Sequence, residues 1–129
     1  MSHARGRQGF TIIELALVLV IVAILASIAV YTYNKLVNKA RFTQAQTALK
    51  HLEKTELIYF TENNRYTDNV ALLDFDPVKF NYYEVSVTLL DNALSYIGYA
   101  HGLFSMEGDL WYIVPGGVPT QDNVAKTRF

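Results

Sequence analysis

The sequence predicts an α+β chain: one long N-terminal α-helix, about residues 10–61, with a small antiparallel β-sheet head packed on its C-terminal half. Three observations lead there. No Gly or Pro occurs from residue 10 to residue 76, so nothing in that stretch breaks a helix. Apolar residues Phe42, Ala45, Leu49, Leu52 and Tyr59 recur at helical spacing, with Glu56 interrupting the row. Beyond residue 81 the period becomes two, with Tyr83, Val85, Val87 and Leu89 on one face and Glu84, Ser86 and Thr88 on the other.

Composition narrows the function classes. At 129 residues the chain is one domain by length. Eleven Lys+Arg against twelve Asp+Glu leave a formal charge of -1, so no basic stripe calls for nucleic acid. There is no cysteine, which excludes disulfides, thiolate zinc sites, cysteine nucleophiles and a cysteine-linked lipid anchor.

The helix begins in an unusual segment. Residues 1–9 are polar and carry Arg5 and Arg7. Residues 10–30 are apolar except for Thr11, Glu14 and Ser27. That is about the ~20 residues a membrane span needs. Tyr31 and Tyr33 follow, where an interfacial aromatic belt would sit. A cleaved secretory signal, using the small-x-small triplet Ser27-Ile28-Ala29, is one reading. A plain single-span anchor is another. Neither explains Glu14, because a carboxylate in a membrane helix costs ~2.5–3.5 kcal/mol without a partner.

Gly9-Phe10-Thr11-Ile12-Ile13-Glu14, behind a short basic leader and ahead of the apolar run, resembles the class III signal of type IV pilins and type II secretion pseudopilins. The resemblance implies a pilin-like fold. It implies that a prepilin peptidase removes residues 1–9 after Gly9 and methylates the new N-terminus, Phe10. It also implies that Glu14 pairs with the Phe10 amine of a neighbouring subunit during assembly. The chemistry agrees: such a pair relieves two desolvated charges and fixes register. Tyr31 stands where many family members have Pro, so the usual cause of a bend there is missing. Arg5 and Arg7 before the span and Lys35, Lys39 and Arg41 after it leave orientation undecided by charge.

The helix is expected to end near Glu62-Asn63-Asn64, since adjacent Asn residues favour turns. The stretch 59–67, YFTENNRYT, also resembles the family. A loop over 67–81 follows, with a helical turn near 69–73 and a break at Asp76-Pro77. Strands are expected at 82–90, 94–100 and 110–114, with turns at 91–92, 107–109 and 115–119 and a polar tail over 120–129.

Catalytic signals are absent from the motif inventory, and the chain is read as a non-enzyme. His51 reads as an exposed or packing residue of the helix, and His101, before Gly102, as a turn residue. Glu107, Asp109 and Asp122 are hard-oxygen groups that calcium could use, as in major pseudopilins, but they form no recognisable loop and read better as solvated carboxylates. No cofactor is expected. Tyr83, Tyr99, Trp111 and Tyr112 read as sheet and core residues rather than a conducting stack.

The resemblance therefore implies a structural subunit. Residues 10–30 are the inner-membrane anchor of the precursor and later the filament core. Residues 31–129 are the amphipathic helix and head. The partners are identical copies in a helical filament, the prepilin peptidase/methyltransferase, and an assembly machine with a cytoplasmic ATPase. The type IV pilus, used in adhesion, motility or DNA uptake, is the preferred reading, because Glu14 suits a subunit of the shaft. A periplasmic pseudopilus of type II secretion is the alternative within the family. A secreted or anchored binding domain is the alternative outside it.

Overall fold

The uninterrupted stretch folds as one helix, α1, Ile12–Asn63, in the computed structural model of the chain, which describes residues 6, 8–76 and 79–126. The expected bounds, 10 and 61, were each two residues early. The leader residues 1–5 and 7, and Pro77 of the expected break, lie outside the described residues.

The chain divides into two units, the first ending at Leu36 and the second starting at Val37. In the first, every side chain from residue 8 to residue 36 is exposed. Ile12 is 90% exposed, and Leu15 through Val30 lie near half to two-thirds. Among the described residues, none in this unit covers that apolar surface. The Ser27 hydroxyl is satisfied locally, donating to the Ala23 carbonyl at 2.8 Å. Lys35 Nζ lies 4.6 Å from the centre of the Tyr31 ring.

The second unit is built on the helical stripe. Ala45, Ala48, Leu49, Leu52, Thr55 and Glu56 are the buried residues of α1, and their three- and four-residue spacing keeps them on one face. A four-stranded antiparallel sheet, order β1-β2-β3-β4, contributes the other layer. Its strands are β1 Tyr83–Leu90, β2 Ser95–Gly102, β3 Leu110–Ile113 and β4 Thr120–Gln121. The register pairs Val87 with Gly98, Ala100 with Val85 and Trp111, and Trp111 with Gln121. Those residues therefore share a face, and Ala100, Trp111 and Ile113 join the helical stripe in one core. A short helix, α2, Asn123–Lys126, closes the described chain.

Two glycines set the close approaches. A Cβ on Gly98 would lie 2.6 Å from Leu52 Cδ2 and 3.2 Å from Ile113 Cγ2, so this glycine lets β2 pack directly on α1. Gly102 faces the Met106 backbone carbonyl, which occupies the space a Cβ would need. Gly102→Ala should therefore force a backbone shift and cost about 2–3 kcal/mol. Thermal melts of the full chain in micelles check this, and an unchanged Tm would show that the loop accommodates a methyl group.

The helix ends where the two asparagines were expected to end it. Asn64 takes φ 56°, a left-handed value that Asn tolerates better than most residues. Its N–H donates to the Phe60 carbonyl at 2.7 Å. Two expectations need correction. His101 is a strand residue, paired with Glu84 and Leu110, and its Nε2 lies 3.3 Å from Ser86 Oγ. Gly102 had suggested a turn, but it ends a strand at a tight approach. The tail also holds β4 and α2, which the polar composition of 120–126 concealed.

Candidate functional site

The predicted processing residues stand at the start of α1. Gly9 and Phe10 have no regular structure, and Phe10 is 91% exposed. No atom comes within 4 Å of where a Gly9 Cβ would be. Both residues that flank the peptide bond between them are exposed. Immediately after it, Thr11 and Glu14 close a reciprocal pair. Glu14 N–H donates to Thr11 Oγ1 at 3.2 Å, and Thr11 N–H donates to Glu14 Oε2 at 3.0 Å. This is a capping box, which satisfies two of the donors a helix start leaves unpaired. Thr11 was missed as a contributor, although the Thr-x-x-Glu spacing was the signal for it. Glu14 thus has a hydrogen-bond donor within its own chain.

The head has a second polar centre, around Asp109, which is 2% exposed. Tyr83 OH donates to Asp109 Oδ2 at 2.6 Å and Trp111 Nε1 donates to the same oxygen at 2.9 Å. Gln121 Nε2 donates to Oδ1 at 2.8 Å. Asp109 thereby joins β1, β3 and β4. Its reading as a solvated carboxylate is corrected, since both oxygens face donors inside the fold. Burial, with the bond to Asp109, pushes the Tyr83 hydroxyl well above its ordinary pKa. Of the other two acidic residues considered for calcium, Glu107 is exposed and Asp122 Oδ2 accepts from Val124 N–H at 3.1 Å. Among the described residues, no three His, Asp or Glu side chains converge on one point.

Glu56 is the third polar group of note, and the row it interrupted is its burial site. It is fully buried, with Oε2 accepting from Thr67 N–H at 3.1 Å. Burial raises its pKa to about 7, against the effect of the Thr67 bond and with help from Asp68. His51 is exposed, with Nε2 3.1 Å from the Asp74 carbonyl and its ring 5.5 Å from that of Phe75. Of the aromatic residues, Tyr83 and Trp111 are buried, while Tyr112 is 37% exposed.

A family model described as the prokaryotic N-terminal methylation motif matches residues 4–30. The type IV major pilin protein PilA of Myxococcus xanthus is 36% identical over 81 residues, 63% of this chain and 37% of that protein. The chain thus carries the prokaryotic N-terminal methylation motif and is similar to a type IV major pilin. The type IV wide pilus major component PilA4 of Thermus thermophilus is also similar, 36% identical over 69 residues, 54% of this chain and 53% of that protein. The alignments thus cover about a third and about half of these two relatives.

The fold is the one that the resemblance to pilins implies, a long N-terminal helix and a small antiparallel sheet. The motif match includes Gly9, Phe10 and Glu14. Among the described residues one helix is long and apolar enough to cross a membrane, and none of its apolar window is buried within the chain. The Asp109 centre is the feature of the head that the residue pattern did not announce. It holds β4 against β3 in a chain that has no cysteine to do so.

Proposed function

We propose that the chain is a structural subunit of a type IV pilus. The observation that carries this reading is the N-terminal segment: a methylation-motif match over 4–30 joined to an apolar helix with no cover of its own. The similarity to two major pilins supports the pilus over the pseudopilus.

In this reading residues 1–9 are a leader, cut after Gly9, and Phe10 becomes the methylated N-terminus. Residues 10–30 anchor the precursor in the inner membrane and then form the filament core against copies of themselves. Lipid is as apolar as that core, so packing and polar pairing drive the transfer more than the hydrophobic effect does. The Phe10 amine of an entering subunit pairs with Glu14 of a neighbour, drawing the carboxylate out of its capping box. Residues 31–129 supply the amphipathic helix and the exposed head. The subunit performs no reaction and needs no cofactor. Its partners are its own copies, the prepilin peptidase/methyltransferase and an assembly machine driven by a cytoplasmic ATPase.

Intact mass and N-terminal sequencing of the mature protein from cells test the reading. A start at N-methylated Phe10, with the chain recovered in sheared surface filaments, is expected. The same start without surface filaments would place it in a periplasmic pseudopilus. A start at Val30 would mean an ordinary secretory signal and overturn the proposal. Glu14→Ala should leave cleavage after Gly9 intact while removing the cap, a loss of about 1 kcal/mol of helix stability. It should sharply reduce filament yield, and wild-type yield from that variant would remove Glu14 from assembly.

A further inference from the structure

The segment 64–76 leaves α1 at the left-handed Asn64 and is tied back to the same helix. Thr67 N–H donates to Glu56 Oε2 at 3.1 Å, and the Asp74 carbonyl lies 3.1 Å from His51 Nε2. From Thr67 a relay of contacts runs along the segment. Asn69 N–H donates to Thr67 Oγ1, and Asn69 Oδ1 accepts from Ala71 N–H, capping the turn Val70–Leu72. Val70 and Ala71 then help line an open, largely apolar cavity of about 670 Å³ with Phe75, Phe80 and Val85. The buried Glu56 carboxyl is thus the tie at the start of the segment, beside the Tyr66 N–H bond to the Ala93 carbonyl, and the His51 contact is the tie at its end.

That carboxyl is incompletely satisfied. Among the described residues, Glu56 Oε1 has no hydrogen-bond partner, and neither has the buried Tyr96 hydroxyl. Its electrostatic company is acidic. Asp68 acts on it from the segment itself. Tyr96, on β2, interacts with Glu56 and also with Glu53 of α1 and Tyr66 of the segment. A charge on Glu56 therefore has one backbone N–H to solvate it and further negative groups around it.

The geometry points to a proton-operated strap: protonated Glu56 keeps segment 64–76 fastened to α1, and loss of the proton lets the segment open and admit water. The sign follows from which state holds the proton more tightly. Closed, the carboxyl titrates near 7; exposed to water by opening, it returns to its ordinary 4.5. Opening becomes easier by about tenfold per pH unit between those values, and by about 300-fold across the interval. Leu72, on this segment, is 59% exposed. The strap does not rest on the filament reading.

Hydrogen exchange on the full chain dispersed in detergent micelles tests the strap, with rates corrected for intrinsic pH dependence. From pH 5 to 8, protection of residues 64–76 should fall on the scale above and stay below that of the β1–β3 amides at every pH, because the segment opens before the head unfolds. Glu56→Gln, which retains an acceptor for Thr67, should flatten the profile. Asp68→Asn removes a negative neighbour, so Glu56 gives up its proton more readily and the upper end of the profile should move to lower pH. A flat wild-type profile overturns the strap, and so does an equal slope in Glu56→Gln. Equal protection of the segment and the sheet at every pH also overturns it, since the segment would then open only with the whole head. The wild-type and Asp68→Asn profiles decide the matter even if Glu56→Gln fails to fold.

Discussion

Asp109→Ala is expected to destabilise the head by about 3–5 kcal/mol, because it strips one buried acceptor from three donors at once. Tyr83 OH, Trp111 Nε1 and Gln121 Nε2 would all be left facing an apolar methyl group. The three come from β1, β3 and β4, so the loss is spread across the sheet. Asp109→Asn should fall between wild type and alanine, since one of its two polar atoms is a donor facing donors. Gln121→Ala should be milder, because it removes a donor and leaves Asp109 with two others. Denaturant unfolding of the full chain in micelles, followed by circular dichroism, ranks these variants. A cost under about 1 kcal/mol for Asp109→Ala would show that the centre is a consequence of folding rather than a cause of its stability.

Glu56→Gln should have the opposite sign above neutral pH. Burial raises the folded-state pKa of Glu56 to about 7 from an ordinary 4.5. The folded chain therefore holds this proton more tightly than the unfolded chain. Its favourable contribution is complete below pH 4.5 and disappears as the pH rises through 7. The difference is about 3 kcal/mol once both states are ionised. Wild type should thus lose stability between pH 5 and 7.5, and Glu56→Gln should not. Above pH 7.5 the glutamine variant should be the more stable chain, by a margin that no longer grows with pH. Parallel curves of Tm against pH for the two proteins would remove Glu56 from the linkage.

The parts of the fold read correctly from the sequence are those set by local rules. A stretch free of Gly and Pro, with an apolar row at helical spacing, placed α1 to within two residues at each end. Alternation over 82–90 marked β1, and Asn64 supplied the left-handed turn that ends α1. The parts misread depend on partners distant in sequence. Asp109 follows Gly108 in what looks like an exposed turn, yet it is buried because Tyr83 lies 26 residues before it and Gln121 12 residues after it. Strand β4 has two residues and no alternation of its own, and exists because Trp111 pairs with Gln121. Glu56 looked like a fault in an apolar row. It stays there because the chain folds back and offers it Thr67 N–H. At the N-terminus, Gly9, Phe10 and Glu14 lie within the matched motif, and the capping role of Thr11 required seeing the two side chains meet.

The single Trp of the chain lies where the two layers of the head meet. Its ring centre is 5.7 Å from that of Phe42 on α1, its indole N–H is bonded to Asp109, and only 7% of it reaches solvent. The protein therefore carries an optical reporter that needs no dye. Emission from this indole is shielded while sheet and helix stay joined, and it shifts to longer wavelength when water reaches the ring. Because the chromophore belongs wholly to the second unit, intrinsic fluorescence follows the integrity of the head separately from whatever surrounds the apolar span, in micelle, membrane or fibre.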